Sequence, residues 1–213
     1  FNRDLARYLH RIPEAHRYIW LICKCFFIFR KPLAFVRAYL AATALPGGVV
    51  ELRNGLTIHL SDQRDDVITV FVVFVRRDYG SVTPGSVVVD IGANIGVFAL
   101  YAACQNAHTV LAYEPSQQAY QRLVQNIRAN RLEHVIFPYH LAVTGQAGEH
   151  VRFPIAASAY NAIIDDEAAG AGATETPFEW VKTADLRRIV EVVDRVDLLK
   201  KDCEGSEYDI LSP

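Results

Sequence analysis

Apolar residues recur at helical spacing near the start of the chain. Residues 3–29 predict one helix, and from residue 18 to residue 29 the apolar positions cover all of its sides. This run of about 12 residues is shorter than the roughly 20 that a membrane-spanning helix needs. Pro32 interrupts the pattern, and residues 33–45 resume it until Pro46 ends it.

The same segment is basic. Residues 1–48 carry a net charge of +6, whereas the whole chain carries −2, so the rest of the chain is acidic. Three interpretations of this first segment are open: a helical cap packed on the main domain, a helix on an anionic membrane surface, or an oligomer contact. We favour the cap, because apolar helices usually pack in a core. Peripheral membrane contact through residues 1–45 remains the alternative.

The cellular compartment is indicated by the absence of a signal-peptide site and by the cysteines. No cleavable signal-peptide site follows the apolar run, and Cys23, Cys25, Cys104 and Cys203 show no zinc-ligand spacing. Free thiols in a reducing compartment are the simplest interpretation, so we predict a cytoplasmic protein with the option of membrane association, and no metal site. The net charge of −2 gives no reason to expect nucleic acid, and we predict no nucleic-acid partner. The chain begins with Phe1 and lacks Met, so we expect an excerpt of a longer protein.

From residue 49 onward the pattern is that of an α/β domain. Residues 49–60 predict a hairpin around Asn54-Gly55, and the apolar run 67–75 fits either a helix or a strand. Farther along, short strands alternate with helices, which predicts a doubly wound, mainly parallel sheet, and the polar residues 165–176 predict a loop. The predicted strands are 86–89, 109–113, 135–143 and 196–200, and the predicted helices are 97–104, 117–130 and 186–192.

A glycine-bearing turn, DIGANIG (90–96), follows the first of these strands. Glycine permits a sharp turn from strand to helix with the backbone open to a ligand, because it lacks a Cβ. Asn94 belongs to the few residue types that tolerate the left-handed region. Free N–H groups at the start of the next helix suit a carboxylate, and Asp90 suits an ammonium group or the N–H groups of the loop. Taken alone, the turn is equally well explained as purely structural.

An acidic residue, Glu114, ends the next strand, 22 residues after Gly92. In folds that bind adenine cofactors, a carboxylate about 20 residues beyond the glycine turn holds the ribose hydroxyls. The alternative is an acid that only favours the N-terminus of the following helix. Because the glycine turn lies at the right distance, we favour ribose binding.

Two further acids, Asp202 and Glu204, follow the last predicted strand. The carboxyl ends of parallel strands meet at one edge of a sheet, where ligands bind, so we expect both acids to face the turn and Glu114. Two acids there suit a general base for a hydroxyl or ligands of Mg²⁺, and a loop that only exposes them to water is the third interpretation. His140 is a secondary candidate for the base, although a single histidine at a strand end is more often structural.

Four segments together resemble the FkbM-type methyltransferases: VVVDIGANIGVFALYAA (87–103), AYEP (112–115), QRLVQNI (121–127) and VDLLKKDCEGSEYDIL (196–211). The resemblance covers about residues 65–211, and DIGANIG combined with the downstream LLK-x-D-x-EG-x-E is specific where either half alone is not. It implies a class I, Rossmann-like methyltransferase fold. It also implies transfer of a methyl group from S-adenosylmethionine to a hydroxyl of a natural product, a sugar or a glycan.

The resemblance further implies roles for individual residues. Glu114 would hold the ribose, and Ala142, at the end of the third predicted strand, would lie near the adenine. Asp202 and Glu204 would face the methyl group and the small-molecule or glycan acceptor. The residues that would hold the methionine part of the cofactor all lie in the glycine turn and are Asp90, Gly92, Asn94 and Gly96.

The family continues beyond the fourth strand with at least one more strand and helix. We therefore expect residues 49–213 to be a methyltransferase domain that is incomplete at its C-terminal end. Two other functions stay open. An NAD-dependent oxidoreductase has a similar fold, but the turn lacks the closely spaced G-x-G-x-x-G. A degenerate module would bind a cofactor or a partner without chemistry, and the presence of both Asp202 and Glu204 argues against it.

Overall fold

The computed structural model describes residues 16–145, 150–155 and 177–202, which form a mixed α/β fold. The predicted loop at 165–176 and Glu204 lie outside these residues. The strands are β1 (Val49–Glu51), β2 (Thr57–His59), β3 (Val87–Ile91), β4 (Thr109–Tyr113), β5 (Ile136–Tyr139), β6 (Ala142–Thr144), β7 (His150–Pro154), β8 (Phe178–Asp185) and β9 (Leu198–Lys201). The helices are α1 (helical over the described residues 16–28), α2 (Pro32–Ala41), α3 (Arg64–Val70), α4 (Val97–Cys104), α5 (Gln117–Ala129) and α6 (Leu186–Val192).

A parallel sheet in the order β5-β4-β3-β9 forms the centre of the fold. β3 pairs with β4 on one side and with β9 on the other, both in parallel. The strand order therefore changes direction between β3 and β9, and in such sheets ligands bind beyond the carboxyl ends of the strands at this switch point. The predicted α/β class and parallel sheet are confirmed.

Helices cover both faces of this sheet. Val88 of β3 packs in the larger core, together with residues of α1 to α5. Its neighbour Val89 points to the opposite face and packs against Leu186 and Ile189 of α6. Because side chains alternate along a strand, a strand buried on both sides has an apolar sequence without alternation, as VVV (87–89) shows.

A second sheet, in the order β6-β8-β7, was not predicted from the sequence. β6 runs parallel to β8, and β7 runs antiparallel to it. The prediction of one strand over residues 135–143 is wrong, because β5 ends at Tyr139 and β6 begins at Ala142 in the second sheet. An apolar run shows that a segment is buried but does not show which strand it pairs with.

The segment before β3 shares the larger core. β1 and β2 form the predicted hairpin, and residues 67–75 are helical, as α3 and a π-helical continuation, Phe71–Arg76. Cys25 and Phe29 are buried in the same cluster as the residues of the central sheet, as a cap packed on the domain requires. The predicted boundary at residue 48 stays a prediction. Of the cysteines that the structure describes, Cys23, Cys25 and Cys104 are all free thiols.

Candidate functional site

The turn at residues 90–96 leads from β3 into α4 with three residues at positive φ. These are Gly92 (72°), Asn94 (50°) and Gly96 (89°). At Gly96 a Cβ would also lie 2.5 Å from Cδ1 of Leu123, so both the conformation and the space favour glycine. The N–H groups of Gly92 and Ala93 donate to the carbonyl of Tyr113 at 3.0 and 2.9 Å, which ties the turn to β4.

The start of α4 has no side-chain cap within the described residues. Its N-cap residue is Gly96, which is buried together with Val97 and Phe98. The first N–H groups of an α-helix have no partner within the helix, and the helix dipole adds partial positive charge there. A carboxylate of a ligand in the crevice between β3 and β9 suits this position.

Glu114 links the turn to α5 from the end of β4. Its side chain is buried, with Oε2 accepting a hydrogen bond from the N–H of Asn94 (2.6 Å) and Oε1 accepting one from the N–H of Ser116 (2.8 Å). Burial raises the pKa of Glu114 to about 7, although these two hydrogen bonds oppose the rise. A carboxylate has about four lone-pair positions, so about two remain for the hydroxyls of a ribose.

Asp90 is fully buried beside Lys200. Nζ of Lys200 lies 3.0 Å from Oδ1 of Asp90 and donates a hydrogen bond to the carbonyl of Gly92 at 2.9 Å. The contact with Asp90 is an ion pair, and within the described residues neither oxygen of Asp90 accepts a further hydrogen bond. Burial raises the pKa of Asp90, and Lys200 opposes this rise. Because a carboxylate has about four lone-pair positions, Asp90 has capacity for a second ammonium group, that of a ligand.

Asp202 follows β9 directly, at the carboxyl end of the sheet. Its N–H donates to the carbonyl of Ile91 at 3.1 Å, and its side chain is half exposed. Oδ2 accepts a hydrogen bond from the hydroxyl of Tyr79 (2.7 Å) and lies 3.7 Å from Nζ of Lys200. Asp90 and Asp202 therefore share one lysine at the switch point. Sequence reasoning missed Lys200 and Tyr79, although Lys200 belongs to the LLK motif quoted above.

Two other residues predicted from the sequence, Ala142 and His140, are not part of the cluster around Lys200. Ala142 is buried at the start of β6 and packs with Phe153 in the second sheet, so its place near an adenine stays a prediction. Nε2 of His140 lies 2.8 Å from the carbonyl of Pro115. Because a carbonyl only accepts, this nitrogen carries the proton, which supports the structural interpretation of His140.

Asn126 of α5 joins the turn to the hairpin, and it too was missed. Its fully buried Nδ2 donates to the carbonyls of Ile95 (2.9 Å) and His59 (3.0 Å), and Oδ1 accepts from the N–H of His59 (2.7 Å). Such a buried and fully hydrogen-bonded amide fixes the elements around it. The segment before β3 is in this way coupled to the glycine turn.

The charges of the site suit the predicted cofactor. Asp90, Glu114 and Asp202 place three carboxyl groups near one cation, Lys200, at the ends of three neighbouring strands. S-adenosylmethionine has a sulfonium and an ammonium group against one carboxylate, so an acidic cluster beside an uncapped helix N-terminus complements it. Within the described residues, no group of three or more His, Cys, Asp or Glu side chains is arranged to hold a metal ion.

Comparison with known proteins adds a family match. A family model described as a methyltransferase FkbM domain matches residues 90–213. A methyltransferase FkbM from Methylobacillus flagellatus is 15% identical, over 85% of this chain and 44% of its own, with a TM-score of 0.39. Trm5 from Methanocaldococcus jannaschii, in complex with adenosine, is 36% identical over 27% of this chain and 18% of its own, with a TM-score of 0.26. A tRNA methyltransferase from M. jannaschii is 24% identical over 46% of this chain and 31% of its own, with a TM-score of 0.32. This chain spans less than half the length of each of these three proteins.

Proposed function

Because this chain belongs to the methyltransferase FkbM domain family, we propose that it O-methylates a hydroxyl of a natural product, a sugar or a glycan. The match confirms the predicted family and, with it, the predicted S-adenosylmethionine cofactor. The observation that carries the proposal is the cluster at the switch point. There Asp90, Glu114 and Asp202, from the ends of three neighbouring strands, lie at the carboxyl edge of the central sheet.

Each cofactor contact in the proposal follows from one feature of the site. Asp90 binds the ammonium group, because within the described residues its buried oxygens have no partner other than the Lys200 ammonium. The start of α4 at Gly96 binds the carboxylate, because no side chain caps it. Glu114 binds the ribose hydroxyls with the lone pairs that Asn94 and Ser116 leave available.

When bound, S-adenosylmethionine supplies an electrophilic methyl group on a positively charged sulfur. The protein then has to align the acceptor and remove the proton of its hydroxyl. We assign the proton removal to Asp202, because its carboxylate is half exposed at the switch point and accessible to an acceptor. Glu204, outside the described residues, is proposed to assist it.

The alternatives have less support. An NAD-dependent oxidoreductase does not fit a family of methyltransferases. A nucleic-acid acceptor would need cations that face its phosphates, whereas this cluster has three acids and one lysine, so we propose no nucleic-acid partner. A degenerate module is the remaining alternative, and it differs experimentally because it would bind the cofactor without methylating any acceptor.

Formation of S-adenosylhomocysteine from S-adenosylmethionine tests the proposal. The assay uses a panel of hydroxylated natural products, sugars and glycans, with tRNA as the comparison. We expect product with members of the hydroxyl panel and none with tRNA. Cofactor binding without turnover of any acceptor would point to the degenerate module, and turnover of tRNA alone would overturn the proposed acceptor class.

The exposed side of α1 and α2 is apolar and basic, and we propose that it contacts an anionic membrane surface. Residues 16–48 contain five cations and no acid. We name this face the α1–α2 surface, and its large exposed apolar residues are Tyr18, Ile19, Trp20, Phe26, Phe27, Leu33 and Leu40. Among the described residues, no helix combines the length and the apolar character needed to cross a bilayer.

The α1–α2 surface is expected to bind vesicles that contain phosphatidylserine and not vesicles of phosphatidylcholine alone. Replacing Trp20 and Phe27 with serine should weaken binding at least about tenfold, since burying one large apolar side chain contributes about 1.5–3 kcal/mol. Both side chains are mostly exposed, so the fold should be unaffected. Val192→Ser, at an exposed apolar residue of α6, is the matched control in co-sedimentation. Equal recovery with both lipid mixtures would reject the proposal.

A further inference from the structure

Tyr79 precedes β3, outside the residues that match the family model, yet it contacts the candidate site. Its hydroxyl donates a hydrogen bond of 2.7 Å to Oδ2 of Asp202. Its ring centroid lies 5.3 Å from that of Phe98 in α4 and 5.7 Å from Nζ of Lys200. One side chain from the segment before β3 therefore contacts the proposed base and lies near Lys200.

The backbone around Tyr79 is held in place. The π-helical segment ends at Arg76, and the next residue, Arg77, has a left-handed backbone with a φ of 60°. The carbonyl of Gly80 accepts a hydrogen bond of 2.9 Å from the hydroxyl of Tyr101, which is buried in α4. The backbone is thus held on both sides of Tyr79, which fixes the position from which its side chain reaches the half-exposed Asp202.

The hydroxyl of Tyr79 is a permanent donor. Burial, followed by the hydrogen bond to Asp202 and its charge, raises the pKa of Tyr79 well above the usual range of a tyrosine. The phenol therefore keeps its proton at any pH at which the protein works. A phenol that always donates gives Oδ2 of Asp202 a fixed hydrogen-bond partner.

We propose that Tyr79 is a positioning residue for Asp202, holding Oδ2 so that Oδ1 is directed to the acceptor hydroxyl. This inference rests on the proposed role of Asp202 as the base. Tyr79 and Lys200 both approach Oδ2, and within the described residues Oδ1 has no hydrogen-bond partner. The other charged groups nearby are Asp90, paired with Lys200, and Asp78, paired with Arg76 at 2.7 Å.

Carboxyl ¹³C NMR of aspartate-labelled protein tests this contact without cofactor or acceptor. The signal of Asp202 is assigned by its loss in Asp202→Asn and is compared between the variants at one pH. In Tyr79→Phe we expect a changed chemical shift, because Oδ2 of Asp202 loses the hydrogen bond from the phenol. Tyr101→Phe is the matched control, since it loosens Gly80 without touching Asp202. An unchanged signal in Tyr79→Phe, or an equal change in Tyr101→Phe, would overturn the proposal.

The rate of methyl transfer supplies the second readout. With an acceptor from the hydroxyl panel, Tyr79→Phe should lower kcat about tenfold, less than the roughly 10²- to 10⁴-fold expected from loss of the base itself, and leave KM for S-adenosylmethionine unchanged. A tyrosine that only stabilises the fold would change the amount of active protein and leave kcat per active site and the Asp202 signal unchanged. Because the NMR comparison needs no turnover, failure of the proposed function and failure of this inference remain distinguishable.

Discussion

Replacing Asp202 with asparagine is expected to lower kcat by about 10²- to 10⁴-fold, the range that general acid–base catalysis contributes. Asparagine has nearly the same size and still offers an oxygen to the hydroxyl of Tyr79, so the local structure should persist. What it lacks is the ability to take the proton of the acceptor. The rate of S-adenosylhomocysteine formation at saturating acceptor measures this effect.

Cofactor binding separates the loss of a base from damage to the site. Because Asp90 and Glu114, and not Asp202, are proposed to hold the cofactor, the dissociation constant of S-adenosylhomocysteine should change by less than about threefold in Asp202→Asn. Asp197→Asn is the matched control. Asp197 precedes β9 at the opposite end of the strand, where its side chain accepts a hydrogen bond from the N–H of Val87. Its replacement should therefore leave kcat unchanged. Unchanged turnover in Asp202→Asn would remove Asp202 from its assigned role.

Glu114→Ala is expected to weaken S-adenosylhomocysteine binding about 10- to 100-fold, since a hydrogen bond to a charged group contributes about 1.5–3 kcal/mol. Alanine removes the acceptor for the ribose hydroxyls and also releases the N–H groups of Asn94 and Ser116. Glu133→Ala, at an exposed glutamate between α5 and β5, is the control that should bind as the wild type does. Isothermal titration calorimetry provides the constants. Wild-type affinity in Glu114→Ala would show that the ribose binds elsewhere.

The raised pKa of Glu114 predicts how the affinity for S-adenosylhomocysteine depends on pH. Burial raises this pKa to about 7, and the ribose hydroxyls prefer the ionised carboxylate. Binding should therefore release a proton near pH 7, and the affinity should rise as the pH increases through this value. Glu114→Gln cannot ionise, so its affinity should be lower and should lack this rise. Titration in buffers with different ionisation enthalpies measures the released proton directly.

Much of the site could be predicted because it depends on strand ends, which leave a local signal. An apolar run that stops at a glycine turn or an acid indicates where a buried strand ends, and parallel strands bring such ends to one edge. The structure places Asp90, Glu114 and Asp202 at that edge, with Asn94 in the left-handed region that its residue type tolerates. Their roles in binding and catalysis stay predictions.

The residues that the sequence analysis missed have roles that arise from contacts between distant parts of the chain. Tyr79 and Asp202 are 123 residues apart, and Lys200 and Gly92 are 108 apart, so no local pattern relates them. Asn126 was quoted within a motif, but its role arises only because His59 of the hairpin lies against α5. The second sheet was missed for the same reason, since its pairing is a property of the whole fold.

Calorimetric titration of the wild-type protein with S-adenosylhomocysteine and, separately, with NAD tests the central claim most directly. Under the proposal, Asp90, Glu114 and the uncapped start of α4 would hold an ammonium group, a ribose and a carboxylate of one ligand. We predict saturable binding of S-adenosylhomocysteine and none of NAD. Binding of NAD without binding of S-adenosylhomocysteine would contradict the assigned cofactor site.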